Sequence, residues 1–280
     1  MGANGQTWRA ARAGIVAAAF AALGATGCRT ASAGASGAAR STPAPGSFAV
    51  VELFTSEGCS SCPPADAALR AIDAEGRRDG NPVYALSFHV DYWDGLGWKD
   101  PFSAPAFSER QRAYANAAGS DQVYTPQMIV NGTDSFNGAD RGRARHAIDG
   151  ALKRARDVRL ALRIERDASD ASVKADDGSR GARVVRYTIE GLPAGATLRV
   201  AEVAEARGHA IRSGENAGRT LEHAAVVRRF VSVPAAREGT VVLPAPSIAE
   251  DGGAPDAIVA FVQQPTMEIV AAARVDLPRR

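Results

Sequence analysis

The sequence predicts two folded parts of different class: an α/β domain over residues 48–156, followed by a mostly antiparallel, sandwich-like all-β domain over residues 157–280. Three observations predict this. Between Phe48 and Arg156, apolar runs of strand length alternate with segments of helical spacing, the order expected of an α/β fold. Beyond Asp157 the helical spacing gives way to short alternating runs separated by Gly-, Pro- and Asp-rich turns. Between Thr30 and Ser47 the chain is Ala, Ser, Gly, Thr and Pro apart from Arg40, without periodicity, which marks off the folded part as beginning near Phe48.

The N-terminus has its own logic. Trp8, Arg9 and Arg12 precede an Ala-rich apolar run from Ala13 to Leu23, and "GATGC" follows, ending at Cys28. A basic start, a short apolar core and small residues make an export signal. The run is about half of the roughly 20 residues a helix needs to cross a bilayer, which argues against a permanent membrane-spanning anchor. Ala25, Thr26 and Gly27 before Cys28 resemble a bacterial lipoprotein signal, in which the cysteine is lipidated and becomes the first residue. Ala25 stands where that signal usually has Leu, so ordinary signal-peptidase cleavage is the alternative. The expected organisation is a lipoprotein-type signal over residues 1–27 and a flexible tether over 28–47, and Arg29 after the cysteine favours the outer membrane by the same resemblance.

The elements of the α/β part follow in order. Phe48 to Phe54 is apolar apart from Glu52, as in a strand buried on both faces. Cys59 and Cys62 come next, then a helix with Ala65, Leu69 and Ile72 on one side, ended by "EGRRDGNP". Val83 to Val90 predicts a second buried strand. A loop rich in Trp, Gly and Pro leads to a helix through Phe107, Gln111 and Tyr114. "YTPQMIVNG" predicts a strand opened by Pro126 and closed by an Asn131-Gly132 hairpin turn, and a basic helix follows around Arg143 to Arg156. In the all-β part, "VRLALRIE", "VVRYTIEGL", "TLRVAEVAE", "AVVRRFVSV", "TVVLP", "AIVAFVQQ" and "MEIVAAARVDL" read as strands. His209 and His223, in and beside "RSGENAGRTLEH", read as turn chemistry. Arg141, Arg143 and Arg145 read as a solvated helix side.

Composition narrows the function. With 280 residues, 45% hydrophobic and 23% charged, the chain is an ordinary globular protein. A formal charge of +2 and no basic run interleaved with aromatics give no reason to expect a nucleic-acid partner. Three cysteines are too few for a disulfide scaffold, so each needs its own explanation. For the Cys59, Cys62 pair the options are a redox couple, a metal clip or a fixed disulfide. A bridge across two residues closes so short a loop that it gains little from chain entropy, which favours redox use over a purely structural one.

The strand-to-CxxC junction "FTSEGCSSC" and the Thr125-Pro126 pair opening a later strand resemble the thioredoxin fold. More closely, "FTSEGCSSCPPAD", "HVDYWDGLGWKDPF", "RQRAYA" and "YTPQM" resemble a bacterial family of exported thioredoxin-like proteins of unknown function, over most of residues 48–156. The resemblance implies a redox disulfide between Cys59 and Cys62, with no other cofactor, and a cis-proline at Pro126. It implies envelope protein thiols, or a redox partner protein, as reaction partners. Cys59, near a helix N-terminus, is then the attacking sulfur, and Cys62, one turn on, the resolving one. Pro63 and Pro64 set against this that the helix begins only at Pro63, which weakens its effect on Cys59.

A cis Pro126 would hold the backbone of Thr125 open for an extended substrate. Thioredoxins keep a buried acid beneath the pair, and the matching position here is Leu53; Glu52 alternates to the opposite face and replaces it poorly. His89 and Asp91 alternate onto one face near the expected cysteines, with Trp93 following. His89 either tunes the cysteines or touches substrate, or else anchors the inserted loop. Trp93 and Trp98 are expected mainly to pack. The overall expectation is a thiol–disulfide oxidoreductase, exported to the periplasm and lipid-anchored there through Cys28. The alternative is a non-catalytic binding or copper-handling lipoprotein, with Cys59, Cys62 and His89 as ligands for copper or zinc.

Overall fold

Glu52, the one charge in the first apolar run, is fully buried. The computed structural model describes residues 43–166, 182–244 and 254–277, so the signal segment, Cys28 and most of the tether lie outside the described residues. Strand β1 (Ala49–Thr55) is buried along its whole length. Helix α1 (Pro63–Asp79) follows, ending at Gly80, whose φ of 65° supplies the left-handed cap. Then come β2 (Val83–His89), a short 3₁₀ turn (Asp91–Trp93), α2 (Pro105–Ala117), β3 (Gln127–Val130), β4 (Asp134–Asn137) and α3 (Arg141–Leu152). The strands β5 (Arg159–Arg166), β6 (Arg183–Glu190), β7 (Thr197–Ala210), β8 (Thr220–Pro234), β9 (Glu238–Leu243), β10 (Pro255–Gln263) and β11 (Ile269–Asp276) complete the described chain.

The local elements agree with the sequence reading; their assembly does not. The chain is not an α/β thioredoxin-like domain followed by a separate sandwich. It is mostly β, with one mixed sheet in the order β11-β10-β7-β8-β2-β1-β3-β4 and a small sheet β5-β6-β9. Strand β2 pairs in parallel with β1, and on its other side with β8 at Ser87↔Val226, so the sheet runs straight through the expected boundary at residue 156. The physical reason is visible in β10. Ala257, Val259 and Phe261 face the first apolar core while Ile258, Ala260 and Val262 face the second, so the strand is apolar at every position and buried on both faces. An independent sandwich would leave one of those faces in water.

Only β5, β6 and β9 form a separate layer. Their Val185, Tyr187, Ile189, Val241 and Leu243 close over Leu198, Val200 and Ile258 of the large sheet. The helices pack on the large sheet, α1 over β1, β2 and β8, and α3 over β1 and β3. The β3–β4 turn shows how tightly the two parts interlock. Asn131 and Gly132 have φ of 48° and 78°, the two positive values of a type I′ hairpin. A Cβ on Gly132 would lie 1.9 Å from the Met267 carbonyl oxygen, so this turn has to be glycine for space as well as for backbone conformation.

A buried ion pair of the first half, Glu52 with Arg110, is enclosed from the second half by Gln263, Phe230 and Phe261. The Arg110 guanidinium lies 5.0 to 5.5 Å from the ring centres of Phe88, Tyr114, Phe230 and Phe261. Its Nε donates to Glu52 Oε1 at 2.6 Å, and its other nitrogens donate to Tyr114 and to Gln263 of β10. The Tyr114 hydroxyl also bonds the second Glu52 oxygen. Burial, with the Glu52 charge adding to it, pushes the Tyr114 phenol well above its ordinary value, so it remains a donor.

Candidate functional site

Thr55, His89 and Gln127 lie at the same end of β1, β2 and β3, because β1 pairs Thr55 with His89 and Phe54 with Gln127. The chain leaves β1 here through Ser56, Glu57 and Gly58 and reaches Cys59. Cys59 and Cys62 form a disulfide with their Cα atoms 5.4 Å apart. Both are fully buried. Helix α1 starts at Pro63 with Cys62 as its N-cap, and the N–H groups of Ala65 and Asp66 donate to the Cys62 carbonyl at 2.8 and 3.1 Å. Pro63 and Pro64 offer no N–H, so the helix end contributes little to a thiolate at Cys59, three residues upstream.

Side chains surround the Cys59 sulfur instead. The Thr125 hydroxyl is 3.4 Å from Sγ, and the Ser61 hydroxyl 3.3 Å. An indole N–H can only donate, and Trp93 Nε1 donates to Thr125 Oγ1 at 2.8 Å. The Thr125 proton is therefore free for the sulfur, and a Cys59 thiolate would receive it as a hydrogen bond that favours the charged form. Pro126 follows in a cis peptide bond with Thr125. Tyr92 backs this wall, its hydroxyl donating to Gln111 Oε1 at 3.0 Å; burial pushes its phenol up to about 12, so it stays neutral.

Two residues before Cys59, Glu57 gathers a cluster of buried polar and charged side chains. The Glu57 carboxylate is fully buried and accepts from three rings: His209 Nδ1 at 2.8 Å, His223 Nε2 at 3.1 Å and Trp98 Nε1 at 3.0 Å. The other nitrogen of His223 lies 3.7 Å from Asp66 Oδ1. Burial opposes a charge on His223, but the Asp66 and Glu57 carboxylates outweigh it and push its pKa up to about 10. His223 is thus an imidazolium at neutral pH. Asp66 stands four residues after Cys62 on α1, one helical turn away, and its Oδ1 accepts from Thr55 Oγ1 at 2.9 Å. His89 packs edge-on against His223, ring centres 4.8 Å apart, and its Nδ1 meets Asp100 Oδ2 at 2.7 Å. Burial would raise the Asp100 carboxyl, but His89 and the N–H groups of Glu57 and Phe102 hold it below the ordinary carboxylate range.

The turn between β7 and β8 lies across the mouth of the site. Asn216 is fully buried, and its Nδ2 donates to the carbonyls of Glu57 and Cys59 at 2.8 and 2.9 Å. Glu215 Oε2 accepts from the Ser60 N–H at 3.0 Å, and Ser213 Oγ donates to the Gly97 carbonyl at 2.6 Å. This strap comes from the half of the chain expected to be a separate domain.

The structure gathers some of the expected residues and separates others. Cys59, Cys62, Thr125, Pro126 and Trp93 converge. His89 and Asp91 do not share a partner: His89 meets Asp100 of the inserted loop, while Asp91 bonds Ser108 at the start of α2. The sulfurs expected to ligate metal under the alternative are bonded to each other, and no cluster of three or more His, Cys, Asp or Glu suited to a metal occurs among the described residues. His209 and His223 are not turn chemistry; they flank Glu57. The missing acid near the pair comes not from β1 but from the helix, as Asp66. Its signal was an acid four residues after Cys62 in an otherwise apolar helix start. The signal for His223 was an imidazole directly before a run, "AAVV", that is apolar at both parities.

Comparisons with known proteins agree with this frame. A crystal structure of an Agrobacterium tumefaciens protein is similar at 28% identity and TM-score 0.56, over 86% of this chain and 100% of that one. HBP35 of Porphyromonas gingivalis is similar in fold alone, at 13% identity and TM-score 0.52, over 84% of this chain and 76% of its own. No curated protein matches. The family model that matches covers residues 50–263, from β1 to the end of β10, and so takes in the disulfide, Glu57, Asp66 and both histidines: the chain belongs to the family described as proteins of unknown function, DUF1223.

Proposed function

We propose that the protein is an exported thiol–disulfide oxidoreductase in which Cys59–Cys62 exchanges with the thiols of envelope proteins. The observation that carries this is the setting of the pair. A CxxC disulfide ends a buried strand, with a hydroxyl proton aimed at Cys59 and a buried carboxyl one helical turn beyond Cys62. A structural bridge has no use for either. In the exchange a client thiolate attacks Cys59 Sγ, the Cys59–Cys62 bond breaks and its electron pair leaves on Cys62 Sγ. A second client thiol then attacks the mixed disulfide, which leaves the client oxidised and the pair a dithiol; the reverse sequence reduces a client. Thr125 steadies the Cys59 thiolate. The signal ending at Cys28 supports export and lipidation, with residues 28–47 as the tether to the outer membrane.

Because both cysteines are buried, the strap has to swing aside for a protein client. In the Cys62→Ala variant of the full chain, Cys59 is expected to take up one glutathionyl group from oxidised glutathione, located by peptide mapping. Cys59→Ala should leave Cys62 at least about tenfold slower, and Asn216→Ala in the Cys62→Ala background should speed the uptake several-fold. Equal rates for the two single-cysteine variants would contradict the assignment of Cys59 as the attacking sulfur.

A further inference from the structure

A line of touching ionisable groups runs from the surface to the helix turn that carries Cys62. His209, its side chain 22% exposed, bonds Glu57; Glu57 bonds His223; His223 Nδ1 faces Asp66; and Asp66 sits one turn along α1 from Cys62. The first two links are hydrogen bonds, and His223 Nδ1 stands 3.7 Å from the Asp66 carboxylate. Inside, the line stops short of full satisfaction. Among the described residues, His223 Nδ1, Asp66 Oδ2 and His89 Nε2 are buried and have no hydrogen-bond partner. Unpaired polar atoms in a dry interior are costly, and three of them in adjoining side chains are a reason to look for use rather than stability.

The groups come from both halves of the chain: Glu57 and Asp66 from the segments beside the disulfide, His209 and His223 from the β7–β8 hairpin. The charges facing His223 are Glu57 and Asp66. His89, paired with Asp100, packs on its ring, and Phe102, which packs on it too, carries the Arg228 guanidinium on its own ring. Two carboxylates therefore hold one imidazolium, one of them Asp66 on the helix turn that follows Cys62, and the other, Glu57, leads out to the partly exposed His209.

We infer that His223 is the proton source for Cys62 during disulfide exchange, passing its proton through the Asp66 carboxyl and being recharged from solvent by way of His209 and Glu57. The inference rests on the oxidoreductase reading and adds the proton balance to it. When a thiolate attacks Cys59 Sγ, the S–S bond breaks and Cys62 departs with the electron pair. Asp66 takes a proton from His223, which becomes neutral, and passes it to that thiolate. His223 is then reprotonated through Glu57 by His209, which draws from water. In oxidation the same path carries the proton from the Cys62 thiol outward. His223 and His209 act through other groups, so they are positioning and relay residues rather than catalytic ones.

The test is the rate at which dithiothreitol opens the disulfide in the full chain, followed from about pH 6 to about pH 9 in parallel with thermal unfolding. His223→Gln is expected to slow opening by about 10²-fold across that range, where His223 keeps its proton, and to lower the solvent deuterium isotope effect on the rate. His209→Gln, at the partly exposed end, should fold normally, slow opening by a smaller factor, and recover when free imidazole is added. A His223→Gln protein that unfolds like the wild type yet opens within twofold of its rate and with its solvent isotope effect overturns the inference. If that variant does not fold, His209→Gln decides: an unchanged rate with no response to imidazole overturns it as well. A wild-type disulfide that dithiothreitol cannot open at all removes the oxidoreductase reading itself, and that failure is distinct from a normal wild type with unaffected variants.

Discussion

Glu52→Ala is expected to cost about 3–5 kcal/mol of stability, more than any other single change outside the cysteines, because it strands a buried guanidinium. Arg110 is enclosed by four aromatic rings and cannot lose its proton, so without Glu52 its charge has no compensation in a dry core. The Tyr114 and Gln263 bonds satisfy its N–H groups but carry no opposite charge. Arg110→Met should cost a similar amount by stranding the carboxylate. The double change Glu52→Leu with Arg110→Met should be milder than either single change, since it removes both desolvation penalties and leaves apolar side chains among aromatic ones. Urea unfolding checks this through a fall in midpoint at unchanged slope. Additive single costs in the double variant would mean that the pair is not coupled.

Raising the pH through the alkaline range is expected to destabilise the fold by roughly 2–5 kcal/mol, and His223 is the residue responsible. Its ordinary pKa is 6.5, and the carboxylates of Glu57 and Asp66 push it up to about 10 in the folded state. The folded protein therefore holds this proton more tightly than the unfolded chain does. That stabilisation is fully present below pH 6.5 and is lost as pH rises toward 10. The melting temperature should fall steadily across that window. In His223→Gln the slope should largely disappear, while the protein is less stable than the wild type at neutral pH. A variant that kept the wild-type slope would place the titrating group elsewhere.

The sequence made the local elements legible and hid their assembly, for reasons that lie in particular residues. Strand β1, helix α1 with its proline start, and the Asn131-Gly132 hairpin follow from rules that act within a few residues, and the structure has them where the spacing puts them. The large sheet was not legible, because pairing β2 with β8 joins residues 87 and 226 and leaves no local mark. The available clue was "AIVAFV" in β10: apolar at both parities, it needs cover on two sides, which a sandwich face does not provide. The site divides in the same way. Cys59, Cys62, Thr125 and Trp93 were legible because they lie in short motifs around one sheet end. Glu57, Asp66 and His223 were missed because the first two looked like ordinary acids near a helix start. The third came from a hairpin whose long strands carry it back over α1.

This division also shows how the two halves serve one centre. The first half brings the sulfurs; the second supplies the two histidines on Glu57, the Asn216 clamp on the Cys59 turn, and Gln263 in the arginine network. Removing the second half would therefore uncover the Cys59 turn, take both histidines from Glu57 and take Gln263 from Arg110, which would keep Glu52.

The central claim is that Cys59–Cys62 is a working redox couple, and equilibrating the full chain with glutathione buffers tests it most directly. Dithiol and disulfide are quantified by alkylation and mass of the peptide that carries them, apart from Cys28. The account predicts a reversible couple with a potential between about −120 and −270 mV, the range of proteins that exchange disulfides. A pair that stays oxidised until below about −300 mV would be a structural bridge, and would contradict it.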